Sequence, residues 1–93
     1  MYKDMKEKYN YPVIRLDLTG KRLKELRIEH DIKVPRLCNQ LGISAQAVYK
    51  WERGDALPTI DNLLILSRIY DEDILNLIVY EEIESECIKE VIL

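Results

Sequence analysis

Residues 33–58, Lys-Val-Pro-Arg-Leu-Cys-Asn-Gln-Leu-Gly-Ile-Ser-Ala-Gln-Ala-Val-Tyr-Lys-Trp-Glu-Arg-Gly-Asp-Ala-Leu-Pro, decide the fold of this chain. They contain two short segments with apolar residues at helical spacing, which meet at Gly42. The first has its apolar residues at i, i+3, i+4 and i+7, namely Val34, Leu37, Cys38 and Leu41. Glycine adopts the left-handed conformation at a helix C-terminus at little cost. The pattern therefore predicts two short amphipathic helices joined by a sharp turn at Gly42.

The second helix is predicted to begin after Ser44, because a serine hydroxyl can accept a hydrogen bond from an unpaired amide of the first turn. Its inward-facing residues are Ala47, Val48 and Trp51. Its outward-facing residues are Ala45, Gln46, Tyr49, Lys50 and Arg53. A helix that buries one side and exposes hydrogen-bonding groups on the other is what contact with base edges in the DNA major groove requires. The alternative is an ordinary surface helix with polar side chains in solvent.

Four outward residues are candidates for contact with DNA bases. Glutamine can pair with the N6 and N7 atoms of adenine, and lysine can donate to the O6 or N7 atom of guanine. Alanine is small enough to touch a thymine methyl group. The predicted base-contacting residues are Ala45, Gln46, Tyr49 and Lys50.

The chain resembles the Cro and lambda-repressor-like class of helix-turn-helix domains, also called the XRE family, over about residues 19–80. The likeness rests on Gly20-x-x-Leu23-x-x-Leu26-Arg27, Leu37-Cys38-x-x-Leu41-Gly42-Ile43-Ser44, Val48-x-x-Trp51-Glu52-Arg53-Gly54, Pro58 and the run from Leu63 to Ile78. It implies an all-α domain of five helices, near residues 19–30, 34–41, 45–52, 60–70 and 74–80.

The residues themselves favour the same five helices. Thr19, Thr59 and Asp73 are predicted N-caps of the first, fourth and fifth helices. Leu23 and Leu26 are predicted to face inward from the first helix. The apolar positions predicted behind the fourth N-cap are Ile60, Leu63, Leu64 and Leu66.

The resemblance also implies a structural ion pair between Arg27 and Glu52, which would tie the first helix to the second helix of the motif. A partly buried arginine and a carboxylate suit bidentate pairing. The alternative is two isolated surface charges. Trp51 is expected to belong to the core.

The chain departs from the family pattern at the start of the second helix. Where members commonly have a glutamine that contacts phosphate, this chain has Val34 followed by Pro35. Proline is well tolerated in a first helical turn, but this phosphate contact cannot be made. The remaining candidates for contact with the DNA backbone are Lys33, Arg36, Ser44 and Arg53.

Charge is divided unevenly along the 93 residues, whose net charge is −3. Residues 1–60 hold 12 Lys and Arg against 8 Asp and Glu, whereas residues 61–93 hold 2 against 9. The distribution predicts an electropositive DNA-facing side and an acidic rear. DNA binding would then weaken steeply with salt.

Length and composition predict a single small domain with no cofactor. The sequence contains no run of about 18 apolar residues, and its first residues are charged, unlike those of a signal peptide. A soluble cytoplasmic protein without membrane contact is therefore expected. The single histidine, His30, and the absence of a glycine-rich phosphate loop argue against an enzyme. Cys38 and Cys87 are expected to be buried thiols, and with His30 they would make a poor metal site.

Both flanks lie outside the matched segment, so residues 1–18 and 81–93 are interpreted as extensions of a domain at 19–80. Alternation of Ile14, Leu16 and Leu18 predicts a short N-terminal strand within residues 11–18. The tail from Tyr80 to Leu93 has a helical stripe, although a terminal strand over 88–93 is the alternative. A helix is preferred, and its apolar surface is the candidate homodimer interface. Alternatively, both flanks fold back on their own domain as a small sheet.

These features together predict a sequence-specific regulator of transcription that binds double-stranded DNA, most simply as a repressor-type homodimer. Two-fold symmetry would place half-sites roughly 34 Å apart in successive major grooves. The main alternative is an antitoxin-like or adaptor protein whose residues 80–93 bind a protein partner. A third interpretation is a domain that kept the fold and lost DNA binding, since fold does not fix function.

Overall fold

The computed structural model describes the backbone of residues 7–87 and the side chains of residues 9–84. Its elements are β1 (Glu7–Ile14), α1 (Leu16–Glu29), α2 (Val34–Leu41), α3 (Ala45–Arg53), α4 (Ile60–Tyr70), α5 (Ile74–Leu77) and β2 (Tyr80–Cys87). All five predicted helices are present, and α2 and α4 have the predicted bounds. The fifth helix is shorter than predicted. No helix within the described part of the chain is long and apolar enough to cross a membrane.

The core forms where the five helices meet. The buried apolar side chains are Leu23, Leu26, Ile32, Val34, Leu37, Val48, Trp51, Leu63, Leu66, Tyr70 and Leu77. Of the four apolar residues noted behind the fourth N-cap, Leu63 and Leu66 are buried, whereas Ile60 and Leu64 are 67% and 49% exposed. In α4 the buried stripe is formed by Leu63, Leu66 and Tyr70, and Leu64 lies about 100° around the helix from Leu63.

The turn at Gly42 has the predicted geometry. Gly42 adopts φ 69° and ψ 38°, in the left-handed region, and its N–H donates to the Cys38 carbonyl at 2.7 Å. The Ser44 hydroxyl accepts from the Ala47 N–H at 3.2 Å, and Thr59 caps α4 by accepting from the Asn62 N–H at 3.2 Å. Asp73 occupies the N-cap position of α5, although its side chain makes no capping hydrogen bond.

The predicted N-cap at Thr19 is wrong, because α1 begins three residues earlier and Arg15 occupies the N-cap position. Thr19 is 1% exposed within the helix. Its hydroxyl accepts from the Val79 N–H at 2.9 Å and donates to the Val79 carbonyl at 3.2 Å. Sequence spacing could not show this partner, which lies sixty residues away and is brought back by the chain after α5.

Replacing Thr19 with valine should therefore weaken the junction between α1 and the segment before β2. Valine has nearly the same shape, but it leaves the partly buried Val79 N–H without this acceptor, at a cost of about 1–2 kcal/mol. Urea denaturation measures the loss, and amide hydrogen exchange at Val79 locates it. Thr19→Ser, which keeps the hydroxyl, is the control and should retain Val79 protection. Equal protection in Thr19→Val would contradict the assigned bond.

The flanks form a two-stranded antiparallel sheet. Residues pair from Ile14 with Tyr80 to Glu7 with Cys87. The strand predicted within residues 11–18 thus lies earlier, and Leu16 and Leu18 belong to α1, where each is 40% exposed. The helix preferred for the tail is wrong over Tyr80–Cys87, since β1 offers backbone partners that a helix there would leave unpaired. The strand alternative over 88–93 lies outside the described residues.

Tyr70 makes the stability of this fold sensitive to alkaline pH. Its side chain is 2% exposed, and burial, with a further contribution from Glu52, raises the pKa of its phenol from 10.0 to about 12. Because the neutral phenol is favoured in the folded state, its contribution is complete below about pH 10 and is lost as the pH rises through about 12. In urea titrations at stepped pH, the parent should lose up to about 2 kcal/mol more than Tyr70→Phe over that window. An equal alkaline loss in both proteins would contradict this assignment.

Candidate nucleic-acid interface

The exposed face of α3 carries all four predicted base-contacting residues. Val48 is fully buried and Trp51 is 7% exposed, and these two side chains hold α3 against the core. Ala47 is half-buried at the edge of this inward side. The residues left in solvent on the helix include Ala45, Gln46, Tyr49 and Lys50. The structure therefore brings this set together on one accessible surface, as contact with a groove requires.

The predicted phosphate-contacting cations flank this surface and are exposed. Lys33 immediately precedes α2, Arg36 lies in its first turn, and Arg53 is the last residue of α3. Among the residues with described side chains, neither Lys33 nor Arg36 takes part in an ion pair. Arg53 pairs with Asp55, with 3.0 Å between Nε and Oδ2, but both side chains are more than half exposed. Such a pair contributes about 0–1 kcal/mol, so a phosphate can compete with Asp55.

Ser44 retains a donor for an anion while it caps α3. Its oxygen accepts from the Ala47 N–H, which leaves the hydroxyl hydrogen to donate outward. The N-terminus of α3 also carries partial positive charge from its unpaired amides. At α2 the corresponding contribution is smaller, because Pro35 has no N–H.

Arg27 and Glu52 fix α3 against α1 through two parallel hydrogen bonds. The Arg27 Nε lies 2.7 Å from one Glu52 carboxylate oxygen, and Nη2 lies 3.1 Å from the other. Arg27 Nη1 also donates to the Ile32 carbonyl at 3.1 Å. The side chains are 12% and 7% exposed, and the hydrogen bonds to Glu52 raise the pKa of Arg27 against the opposing effect of burial. One guanidinium therefore connects three segments, which are helix α1, the loop between α1 and α2, and helix α3.

Gly20 permits the close approach of α1 to the C-terminal end of α3. A Cβ at this position would lie 2.4 Å from the Trp51 carbonyl oxygen and 2.7 Å from that of Glu52. In the sequence, Gly20 stood out only as part of the family resemblance. Glycine inside a helix is unfavourable by roughly 0.5–1 kcal/mol relative to alanine. A glycine within a predicted helix was therefore the feature of the sequence that could have indicated a close backbone contact.

The titratable side chains were also compared with the requirements of a metal site. Among the described side chains, those of residues 9–84, no group of three His, Cys, Asp or Glu is placed to hold a metal ion. Cys38 is a half-buried free thiol packed against the core, whereas the side chain of Cys87 lies outside those described. His30 is exposed, with its Nδ1 2.9 Å from the Leu26 carbonyl oxygen and its ring 5.3 Å from that of Tyr70.

Comparison with known proteins identifies relatives of the helical part. A model of the helix-turn-helix family matches residues 23–77. A protein of Pyrococcus abyssi named as an HTH-type transcriptional regulatory protein is 39% identical over 59 residues, which cover 63% of this chain and 18% of that protein. This chain thus spans less than a fifth of the length of that relative.

Two solved structures share the arrangement of the helices. The restriction-modification controller protein C.AhdI from Aeromonas hydrophila is 29% identical, with a TM-score of 0.60 over 67% of this chain and 94% of that one. The P22 c2 repressor, solved with a synthetic operator, is 30% identical, with a TM-score of 0.59 over 63% of this chain and 89% of that one.

Proposed function

The chain belongs to the helix-turn-helix family, in its Cro and lambda-repressor-like class, and from that membership we propose that it is a sequence-specific regulator of transcription that binds double-stranded DNA. The observation that carries the proposal is the exposed face of α3, where Gln46, Tyr49 and Lys50 stand free of the core. The P22 c2 repressor was solved with an operator, and its likeness to this chain supports the same mode of binding here.

In this mode α3 lies in the major groove and α2 lies across the DNA backbone. Gln46 and Lys50 donate to base edges, and Ala45 and Tyr49 complete the contact surface. Exposed Lys33, Arg36 and Arg53, with the Ser44 hydroxyl, hold the phosphates and so set the position of α3. The protein acts as a homodimer that represses transcription by covering promoter DNA. It has no catalytic step and works in the cytoplasm.

Selection of bound sequences from a random duplex pool tests this function. The purified chain is mixed with the pool at physiological salt, and the retained duplexes are sequenced. Enrichment of a palindrome with half-sites about one helical turn apart is the expected result. Weak retention that depends on salt and enriches no sequence would overturn the proposal of sequence-specific binding.

The two kinds of contact should separate in single variants. We expect Gln46→Ala and Lys50→Ala each to cost about 1–3 kcal/mol on the selected operator and to relax the preference at one base pair. Lys33→Ala should weaken binding to all duplexes alike and reduce the salt slope by about one. Fluorescence anisotropy with a panel of base-substituted operators measures both effects.

Lys24→Ala is the matched control for this series, because it removes the same charge from an exposed position on α1. It should change affinity little. A uniform loss from Gln46→Ala, Lys50→Ala and Lys33→Ala on every duplex would contradict the base-contacting roles. A loss in Lys24→Ala equal to that in Lys33→Ala would contradict a phosphate contact specific to Lys33.

A second candidate function, binding of another protein, is supported by an apolar groove of about 380 Å³ between α5 and the two-stranded sheet of β1 and β2. Leu75, which lines it, is 68% exposed, and Ile14 and Tyr80 are each more than 40% exposed. Exposed apolar patches of this kind often mark sites of interaction. Co-purification of one specific protein that is lost on Leu75→Asp, together with failure of the DNA selection, would favour this function.

A further inference from the structure

The two-stranded sheet of β1 and β2, which we term the hairpin although five helices separate its strands in the sequence, extends away from the helical core. It is attached at its root, where the Arg15 N–H donates to the Val79 carbonyl at 2.8 Å and Thr19 bonds the same residue. The molecule is 56 Å long but only 22 and 19 Å in its other two dimensions. A two-stranded hairpin by itself is at best marginally stable in water. An additional packed surface would therefore stabilise the hairpin of this chain.

The register divides the hairpin into two faces of different chemistry. Successive side chains of a strand alternate between faces, and paired residues share a face. One face, which we term the aromatic face, carries Tyr9, Tyr11, Val13, Glu81 and Ile83. The opposite face, which we term the charged face, carries Asn10, Pro12, Ile14, Tyr80, Glu82 and Glu84. Tyr9 and Tyr11 are 39% and 44% exposed, so a substantial part of the aromatic face is open to solvent.

Both edges of the hairpin resist pairing with a further strand. Pro12 has no N–H to donate from β1. The strand β2 carries Glu81, Glu82 and Glu84, and charged residues on an edge strand disfavour the approach of another strand. A partner is therefore more easily accommodated on a face than along an edge.

The charges on the two faces indicate which partner fits. Glu81 lies at the root of the aromatic face, but its carboxylate is already paired with Arg15 at 2.8 Å. Two copies can therefore bring their aromatic faces together without an unpaired charge from the described side chains. On the charged face, by contrast, Glu82 and Glu84 would meet the same residues of a second copy, and like charges repel across an interface.

We propose that the aromatic face of the hairpin packs against the aromatic face of a second copy of this chain, sheet on sheet, about a two-fold axis. Such a contact is self-complementary, because the same residues contribute from both copies. The proposal deepens the homodimer of the proposed function and rests on it for its purpose. It replaces the tail helix expected from the sequence with a surface shared by β1 and β2.

The root of the hairpin lies close to the C-terminal end of α3, so the proposed dimer contact would affect how α3 meets DNA. Gly54 directly follows α3, and a Cβ on it would lie 2.9 Å from the Cα of Asp17 in the first turn of α1. The C-terminal end of α3 and the root of the hairpin are therefore joined through one turn of α1. A dimer formed through the hairpins holds the two copies of α3 in a defined relation.

The size of the face predicts a weak dimer. Eight residues of strand are roughly 26 Å long, and two strands are roughly 10 Å wide. A contact of that size buries less than the about 1,200 Å² at the lower end of stable interfaces. Dimerisation should therefore depend on protein concentration and should be strengthened by a DNA that offers two half-sites.

Sedimentation equilibrium of the full chain without DNA tests the interface. The parent should show an average mass that rises with concentration toward twice the monomer mass of 11.0 kDa. Tyr11→Lys should remain at 11.0 kDa over the same range, since it would bury a lysine charge in the aromatic face of each copy. The matched control is Asn10→Lys, which adds the same charge to the neighbouring residue on the charged face, opposite Glu84. It should dimerise like the parent.

A second variant separates loss of the interface from loss of the hairpin. Tyr11→Thr removes the aromatic ring but keeps a residue that favours strands. It should also lose the dimer, while amide exchange still reports protected hydrogen bonds between β1 and β2. A monomeric parent, an unchanged dimer in Tyr11→Lys, or equal loss in Asn10→Lys would each overturn the proposal.

The DNA selection distinguishes this result from a failure of the proposed function. A parent that is monomeric at all concentrations but still enriches a sequence would refute the interface and leave DNA binding in place. A dimer that is lost in Tyr11→Lys, from a parent that enriches no sequence, would support the interface and refute DNA binding.

Discussion

Gly20→Ala is expected to destabilise the domain by about 3 kcal/mol or more, although alanine is the better helix former. The new methyl group would lie 2.4 Å from the Trp51 carbonyl oxygen, 2.7 Å from that of Glu52 and 2.9 Å from the Gly54 nitrogen. All three are backbone atoms, so no side-chain rotation relieves the overlap. Either α1 must move away from α3, or the last turn of α3 must unwind. Urea denaturation measures the loss of folding free energy.

Gly42→Ala is the natural control, because it separates conformational strain from overlap. Gly42 has φ 69°, and a Cβ on it would meet nothing within 4 Å. Alanine there should cost only about 1–2 kcal/mol, from the left-handed backbone. Gly20→Ala should therefore lower the free energy of unfolding clearly more than Gly42→Ala. If Gly20→Ala were neutral or stabilising, the close approach of α1 and α3 would be wrong.

Glu52→Ala is expected to cost about 3–5 kcal/mol, because it leaves the Arg27 guanidinium buried without its anion. The pair is only 12% and 7% exposed, so water can replace the carboxylate only poorly. Arg27 would keep its bond to the Ile32 carbonyl, but both bonds to α3 would be lost. Since these bonds orient α3, operator affinity should fall further than the folded fraction alone explains. Thermal and urea denaturation measure the first effect, and anisotropy at a temperature where the variant is folded measures the second.

A double variant shows whether the loss of stability arises from the ion pair. Arg27→Met together with Glu52→Leu replaces both charges with apolar side chains and should recover most of the stability lost by Glu52→Ala. Asp55→Ala, which breaks the exposed pair with Arg53, is the surface control and should change stability by less than about 1 kcal/mol. Equal costs for Glu52→Ala and Asp55→Ala would mean that the Arg27–Glu52 pair is as well hydrated as a surface pair.

The helix-turn-helix could be predicted from the sequence because its signals are local. Apolar spacing predicted α2, and the special backbone of Gly42 with the cap at Ser44 predicted the turn and the start of α3. The exposed face of α3 followed from the same periodicity, since burial of Val48 and Trp51 leaves their opposite side in water. Whether that face contacts DNA remains a proposal, because helical periodicity places side chains without showing what they bind.

The errors arose where a long-range partner competed with a local pattern. Threonine is a residue type that often caps helices, but Thr19 lies inside α1, where its hydroxyl makes two partly buried hydrogen bonds with Val79. The tail from Tyr80 has a helical stripe, but pairing with β1 satisfies its backbone groups over Tyr80–Cys87. In each case the deciding partner lies sixty or more residues away along the chain.

The amino-acid sequence by itself determined the five helices, the turn at Gly42 and the polar face of α3, because periodicity and capping act over a few residues. Only the tertiary structure decided that the two flanks pair as a hairpin with one aromatic and one charged face. It also showed why a glycine must occupy position 20 in the second turn of α1. Close backbone approach and strand register depend on surfaces that meet only after folding, and no local pattern encodes the distance between them.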